Sequence, residues 1–201
     1  MGKKFGEARR SDLGIQNGPS FYMEDLMLAR TDAWERARFP KIVRAPEMIW
    51  ENTPHGRLKY ISHPKLNPRV TDIEAYIQEI APDGRSGKHR HMAEEFMFIL
   101  EGQGYSLHWD VDVDMSNDTF EWKAEPTPKR FEWEAGDWVF VPVNTIHQHF
   151  NLSSDERVRF ISAQAALYKH LGWHDLEQLE NCPEWVEAQE KPAPTQLKGE
   201  R

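Results

Sequence analysis

The stretch His89-Arg90-His91-Met92-Ala93-Glu94-Glu95, read together with His147 downstream, decides the fold of this chain. Side chains alternate from face to face along a β-strand, so His89 and His91 share one face. Glu95 keeps that parity and Glu94 does not. The spacing therefore predicts three donors converging from one strand, with His147 arriving as a fourth from a distant strand. Imidazoles and a carboxylate gathered in this way describe a metal site.

The flanking residues extend the pattern. Gly84 precedes the histidine pair, and Gly102 lies seven residues past Glu95. The second segment runs Gly136-Asp137-Trp138-Val139-Phe140-Val141-Pro142-Val143-Asn144-Thr145-Ile146-His147-Gln148-His149-Phe150-Asn151. These two segments resemble the paired motifs of the cupin superfamily. The first family motif is a Gly, five residues, His-x-His, three or four residues, Glu, six residues, Gly. Here one residue fewer separates Gly84 from His89. The second is a Gly, five residues, Pro-x-Gly, two residues, His, three residues, Asn. Here Asn144 stands where the family has the middle Gly. Both residue types tolerate positive φ, so the turn is expected to survive the exchange.

The resemblance spans roughly residues 70 to 163. It implies an all-β cupin fold, a double-stranded β-helix or jelly-roll barrel, with helical extensions at the N- and C-terminal ends. It also implies that His89, His91, Glu95 and His147 hold one divalent transition metal. Three imidazoles and one carboxylate suit Fe(II), Mn, Ni, Zn, Cu or Co, and ligand type alone does not choose among them. Small cupins commonly dimerise through N-terminal elements, so the resemblance further implies a homodimer.

A narrower resemblance concerns His147-Gln148-His149-Phe150-Asn151, which is similar to the His-x-His-x-Asn stretch of gentisate 1,2-dioxygenases and related ring-cleaving cupins. There the first His is an iron ligand and the second lies beside the substrate. This implies Fe(II), O₂, a small aromatic or enolic substrate and a catalytic role for His149. Those enzymes usually lack the Glu of the first motif, whereas this chain keeps Glu95. Two other functions stand beside the dioxygenase: a non-redox isomerase, lyase or decarboxylase, and a small-molecule-binding cupin without turnover. For His149 itself the competing reading is a core histidine held by a hydrogen bond.

Composition narrows the partners. A chain of 201 residues is ample for one core. The hydrophobic share is 39%, and eight Trp and ten Phe supply large buried areas. A net charge of −8 without a basic cluster argues against nucleic acid. No apolar run reaches the ~18 residues a membrane helix needs. Met1 to Phe5 carries charge but no apolar stretch of the kind that marks a secretory signal. The single Cys182 forms no disulfide within the chain, which fits a cytoplasmic setting.

Along the chain, residues 1–69 read as an N-terminal extension, 70–163 as the barrel and 164–201 as a helical segment and tail. Residues 1 to about 20 and the tail from about Glu190 are polar and are expected to be loosely ordered. Phe21 to Phe39 has near-helical apolar spacing, and Pro40 ends it. Met48–Glu51 and Arg57–His63 read as short strands broken by Pro54 and Pro64. Phe96 to Leu100 is apolar throughout and reads as a strand buried on both faces. Asp110, Asp112, Asp114 and Asp118 mark an insertion, read as a solvated hairpin, with a lid or second cation site as the sharper reading. Tyr76, Gln78, Trp109, Trp133 and Trp138 read as packing residues, Lys88, Arg90 and Glu94 as outward-facing. Residues from Leu171 onward read as helical, with a helix start at Pro183.

Overall fold

The computed structural model describes residues 21–67, 69–116 and 119–190. The expectations for residues 1–20 and for the tail past Glu190 lie outside them. The chain divides into two units at Pro40. In the first, helix α1 (Phe21–Arg38) stops just before Pro40 and buries none of its residues. Of its apolar residues, Leu28 and Trp34 are exposed and Leu26 is half-buried.

The second unit is almost entirely β. In chain order it contains β1 (Trp50–Thr53), β2 (Gly56–Ser62), β3 (Ile73–Ile80), β4 (Lys88–Arg90), β5 (Glu95–Glu101), β6 (Gln103–Trp109), β7 (Val111–Ser116), β8 (Thr119–Ala124), β9 (Lys129–Glu134), β10 (Trp138–Val141), β11 (Ile146–Asn151) and β12 (Val158–Ala165). The short α2 (Leu167–His170), β13 (Glu177–Glu180) and α3 (Pro183–Glu190) follow. A six-stranded sheet has the order β1-β2-β3-β12-β5-β10, and a five-stranded sheet the order β13-β4-β11-β6-β9. Every pairing is antiparallel, and the crossovers between the sheets make the jelly roll.

The inner faces of the two sheets close on Ile80, Met97, Ile99, Val139, Val158 and Phe160 from the larger sheet and Trp133 from the smaller. Trp133 meets Phe160 edge-on at 6.3 Å between ring centroids. Burying each such side chain contributes about 1.5–3 kcal/mol, so this cluster fixes the distance between the sheets.

Several expectations are corrected. The sheets reach beyond residues 70–163. β1 and β2 extend the larger sheet, because Pro54 falls in the turn between them and Pro64 falls after β2. Residues after Leu171 are not continuously helical, since β13 pairs with β4 before α3 begins at Pro183. β5 is buried on one face only: Met97 and Ile99 point inward, while Phe96, Phe98 and Leu100 stay exposed on the outside. Trp133 is core, but Trp138 is 61% exposed beside Phe96. The acidic insertion is a hairpin, β7–β8, as its composition suggests, with Asp118 outside the described residues. Two of the acidic residues there pair with lysines: Asp114 with Lys123, and Asp110 with Lys129 at 2.5 Å. Among the described residues it gathers no cation-binding cluster. Cys182 is buried, its thiol pKa raised by that burial. No described helix is long and apolar enough to cross a membrane.

Candidate metal centre

His89, His91, Glu95 and His147 come together inside the barrel, each offering one donor atom within 4.8 Å of the others. All four are buried. They do not arrive from one strand as the spacing predicts. β4 ends at Arg90, the chain crosses between the sheets over His91 to Glu94, and Glu95 opens β5 in the opposite sheet. The site thus joins the two sheets, which a single strand face could not do.

In the smaller sheet, β11 lies between β4 and β6, so His147 is in register with His89 on one side and His108 on the other. The His89 and His147 rings stand 4.1 Å apart. The turn before β11 holds because Asn144 adopts φ 60°, in the left-handed region expected for its replacement of Gly. Arg90 locks that turn from outside, donating from Nη1 to Asn144 Oδ1 at 2.7 Å and from Nε to Glu177 at 2.6 Å.

Tautomers follow from the backbone. His91 Nδ1 lies 2.8 Å from the Ala93 carbonyl and His147 Nδ1 lies 2.9 Å from the Thr145 carbonyl. A carbonyl only accepts, so both Nδ1 atoms carry a proton, and in the neutral ring the lone pair lies on Nε2. Those Nε2 atoms face Glu95 Oε2 at 2.9 and 3.5 Å. His147 Nε2 and His89 Nδ1 are buried with no hydrogen-bond partner. In the neutral rings these nitrogens face a carboxylate acceptor, an arrangement that a divalent cation at their centre resolves. The residues present fit a metal ion.

Burial pushes the Glu95 carboxyl up, but the imidazoles of His147 and His91 outweigh it and hold the group well below its ordinary value. His89 is held well below the ordinary imidazole value, mainly by burial and then by His55, so its imidazole is neutral and able to ligate. Ser162 donates to the other carboxylate oxygen, Glu95 Oε1, at 2.6 Å and orients it.

A cavity of about 320 Å³ opens onto His89 and His91. Its other walls include His55, Tyr76, Gln164 and His174. A larger cavity of about 490 Å³ lies beyond His108, against Phe131 and Trp138, and touches none of the four clustered residues. The smaller one is therefore the site's own pocket. His149 is fully buried but lies outside both linings. Trp133 Nε1 donates to Ser106 Oγ at 2.9 Å, leaving the Ser106 hydroxyl proton for His149 Nδ1 at 2.8 Å. The His149 proton then sits on Nε2, which has no partner.

The sequence reading missed His55, Gln164 and His174, and placed Tyr76 among packing residues. His55 lies in the β1–β2 turn, its ring 4.1 Å from that of His89. Tyr76 Oη lies 3.5 Å from His55 Nε2. Only the parity of Tyr76 on β3 hinted at an inward position; the others carry no spacing signal.

The family model for auxin binding protein matches residues 54–167. The chain belongs to the auxin-binding protein family. Auxin-binding protein T85 of Nicotiana tabacum is 28% identical over 126 residues, covering 61% of this chain and 62% of that protein. This family member thus spans less than two thirds of the curated relative's length. Among solved structures, Lactobacillus farciminis oxalate decarboxylase in its formate complex superposes with a TM-score of 0.50 at 20% identity, over 76% of this chain and 37% of that one. Bacillus subtilis oxalate decarboxylase, described with Mn(II) centres, gives 0.51 at 15% identity, over 75% and 36%. Both likenesses establish the cupin fold of this family member.

Proposed function

We propose that this protein is a metal-dependent cupin enzyme for a small oxygenated molecule, aromatic or enolic, and that with Fe(II) it acts as a dioxygenase. The observation that carries the proposal is the convergence of His91 Nε2, His147 Nε2 and Glu95 Oε2 beside the 320 Å³ cavity. His89, His91, Glu95 and His147 are the residues that would hold the ion. When bound, the metal supplies a Lewis-acid template for substrate oxygens and, as iron, an electron source for O₂. The Mn(II) centres of the Bacillus subtilis oxalate decarboxylase support a divalent ion, and the His147-Gln148-His149 pattern supports iron.

The remaining chemistry belongs to the cavity walls. Burial, with Glu95 adding to it, raises the Tyr76 phenol well above its ordinary value, so Tyr76 keeps its proton and serves as a donor to a substrate oxygen. His55 is lowered to about 4 by burial and stays neutral. Its ring stands 4.1 Å from that of His89 and so helps to fix that imidazole. Leu58 and Tyr60 supply an apolar wall against which a ring can lie. His149 acts from behind His147 as a positioning donor through Nε2, its ring 5.4 Å from that of His147.

A second reading, capture of a small molecule without turnover, is favoured by the name of the Nicotiana tabacum relative, an auxin-binding protein. An oxygen electrode separates the two. Anaerobically purified, Fe(II)-loaded protein is screened against catechols, gentisate, salicylates and β-diketones. Substrate-dependent O₂ uptake supports the dioxygenase. Turnover without O₂ uptake moves the assignment to isomerase, lyase or decarboxylase chemistry, and saturable binding without turnover supports capture.

A homodimer belongs to the same proposal. Phe96, Trp138 and Phe140 form an exposed aromatic cluster on the outer face of the larger sheet, with ring separations of 5.1 and 5.3 Å. Such a patch suits burial against a second copy.

A further inference from the structure

One wall of the metal cavity is a strap that the barrel does not bury. Ala166 and Cys182 are both buried, and no residue from Leu167 to Asn181 between them is. The strap consists of α2, β13 and the loop that joins them. Lys169, His174, Leu176 and Gln178 nevertheless line the cavity, and the His174 ring stacks parallel to that of His91 at 6.4 Å. Leu167, Leu171, Trp173, Leu176 and Leu179 are 41–64% exposed, so apolar burial does little to hold the strap down. Its attachments are polar. β13 pairs with the three-residue β4 across a register shift, and the Met92 amide donates to the His174 carbonyl at 3.1 Å. Arg90 reaches Glu177 at 2.6 Å and Asp175 at 3.3 Å, Lys88 reaches Glu180 at 3.6 Å, and Lys169 reaches Glu74. The three acidic side chains on the strap are about half exposed.

We propose that residues 167–181 are a charge-latched gate on the metal cavity: the strap lifts as one unit about its buried ends, and small molecules reach the site while it is lifted. The inference rests on the proposed function for what passes the gate, and on the strap's own contacts for the motion. A segment with few buried apolar contacts and exposed hydrogen bonds opens at the low end of the free-energy range within a protein. Half-exposed ion pairs each hold weakly and are screened by salt. The neighbouring strands differ: Ile99 of β5 and Phe160 of β12 sit in the buried cluster between the sheets, and their hydrogen bonds break only when the barrel itself opens. Lifting the strap takes His174 away from His91 and removes four lining residues at once, which turns that wall into a passage. The latch is mounted on the metal-bearing segment, because Arg90 lies between His89 and His91.

Residue-resolved hydrogen exchange on the full chain tests the motion. The Met92 amide and the amides of β13 should exchange together, about a hundredfold faster or more than those of Ile99 and Phe160. Raising the ionic strength from about 0.01 M to about 0.5 M should speed them about threefold. The double variant Asp175→Asn, Glu177→Gln removes the charges and keeps the side-chain shapes, and Asn tolerates the positive φ of position 175. It should speed strap exchange about fivefold at low salt and lose most of the salt response, with Ile99 and Phe160 unchanged as the control for folding. Extraction of the ion from metal-loaded protein by excess chelator tests the gate, and its rate should rise in the variant by the same factor. Strap amides as protected as those of Ile99 and Phe160 overturn the proposal, and so does strap exchange indifferent to both salt and the substitutions. Extraction that stays at the wild-type rate in a variant whose strap exchanges faster overturns the gate and leaves the proposed function standing. Wild-type protein that retains no added metal overturns the proposed function instead, and the exchange rates then decide the strap by themselves.

Discussion

Ser162 donates a 2.6 Å hydrogen bond to Glu95 Oε1 across neighbouring strands β12 and β5, leaving Oε2 to face the imidazoles of His91 and His147. Ser162 is fully buried, so no water replaces it easily. Groups that orient a metal-ligating carboxylate typically contribute 10–100-fold to metal affinity. Ser162→Ala should therefore weaken metal binding about tenfold while the protein still folds. Competition against a chelator of known affinity measures this, and an unchanged affinity would show that Ser162 has no part in holding Glu95.

His149 has a different signature from the four clustered residues. Its Nδ1 is engaged by Ser106 and its Nε2–H is unpartnered, so His149→Phe should leave metal content at the wild-type level and lower kcat about tenfold or more once a substrate is found. Turnover equal to wild type would return His149 to the core-histidine reading.

Acid should weaken the metal-free protein in a defined window. His55 and His108 are both lowered from the ordinary 6.5 to about 4, chiefly by burial. Between those values the unfolded chain binds more protons than the folded one, so stability falls as pH drops from about 6.5 towards about 4 and is intact above that window. The pair should account for a loss on the order of a few kcal/mol. Denaturant midpoints of metal-stripped protein at pH 7 and pH 5 measure it. A flat response, or a gain at pH 5, would contradict the neutral, buried state of these two rings.

The core fixes the spacing on which the site depends. Phe160 is fully buried between Trp133 and His149, with ring separations of 6.3 and 5.4 Å. Phe160→Ala should cost about 3–5 kcal/mol in denaturant unfolding. A loss below about 1 kcal/mol would mean that the sheets do not close on this cluster.

Much of this was legible in the residues. The His-x-His spacing, the later His147 and the glycines around them locate the four donors, because strand parity and turn chemistry are local properties. Asn144 shows the same: its left-handed φ is what the exchange from Gly requires. What escaped is tertiary. That Glu95 lies in a different sheet from His89 depends on a crossing over His91 to Glu94, whose last three residues have no distinctive composition. β13 is four residues of mixed polarity, recognisable as a strand only once β4 offers it an edge. His55, Gln164 and His174 enter the cavity from a turn, a strand and a loop far apart in the chain, so no spacing links them. Phe96, Phe98 and Leu100 misled because apolar content signals burial, yet here it marks an outer face.

The central claim is that His89, His91, Glu95 and His147 hold one metal ion. Elemental analysis of anaerobically purified protein, run in parallel on His147→Ala, tests it most directly. The account predicts close to one divalent transition metal per chain in the wild type and less than about a tenth of that in the variant. Full metal occupancy in His147→Ala, or a wild-type protein that takes up no divalent metal when one is supplied, would contradict it.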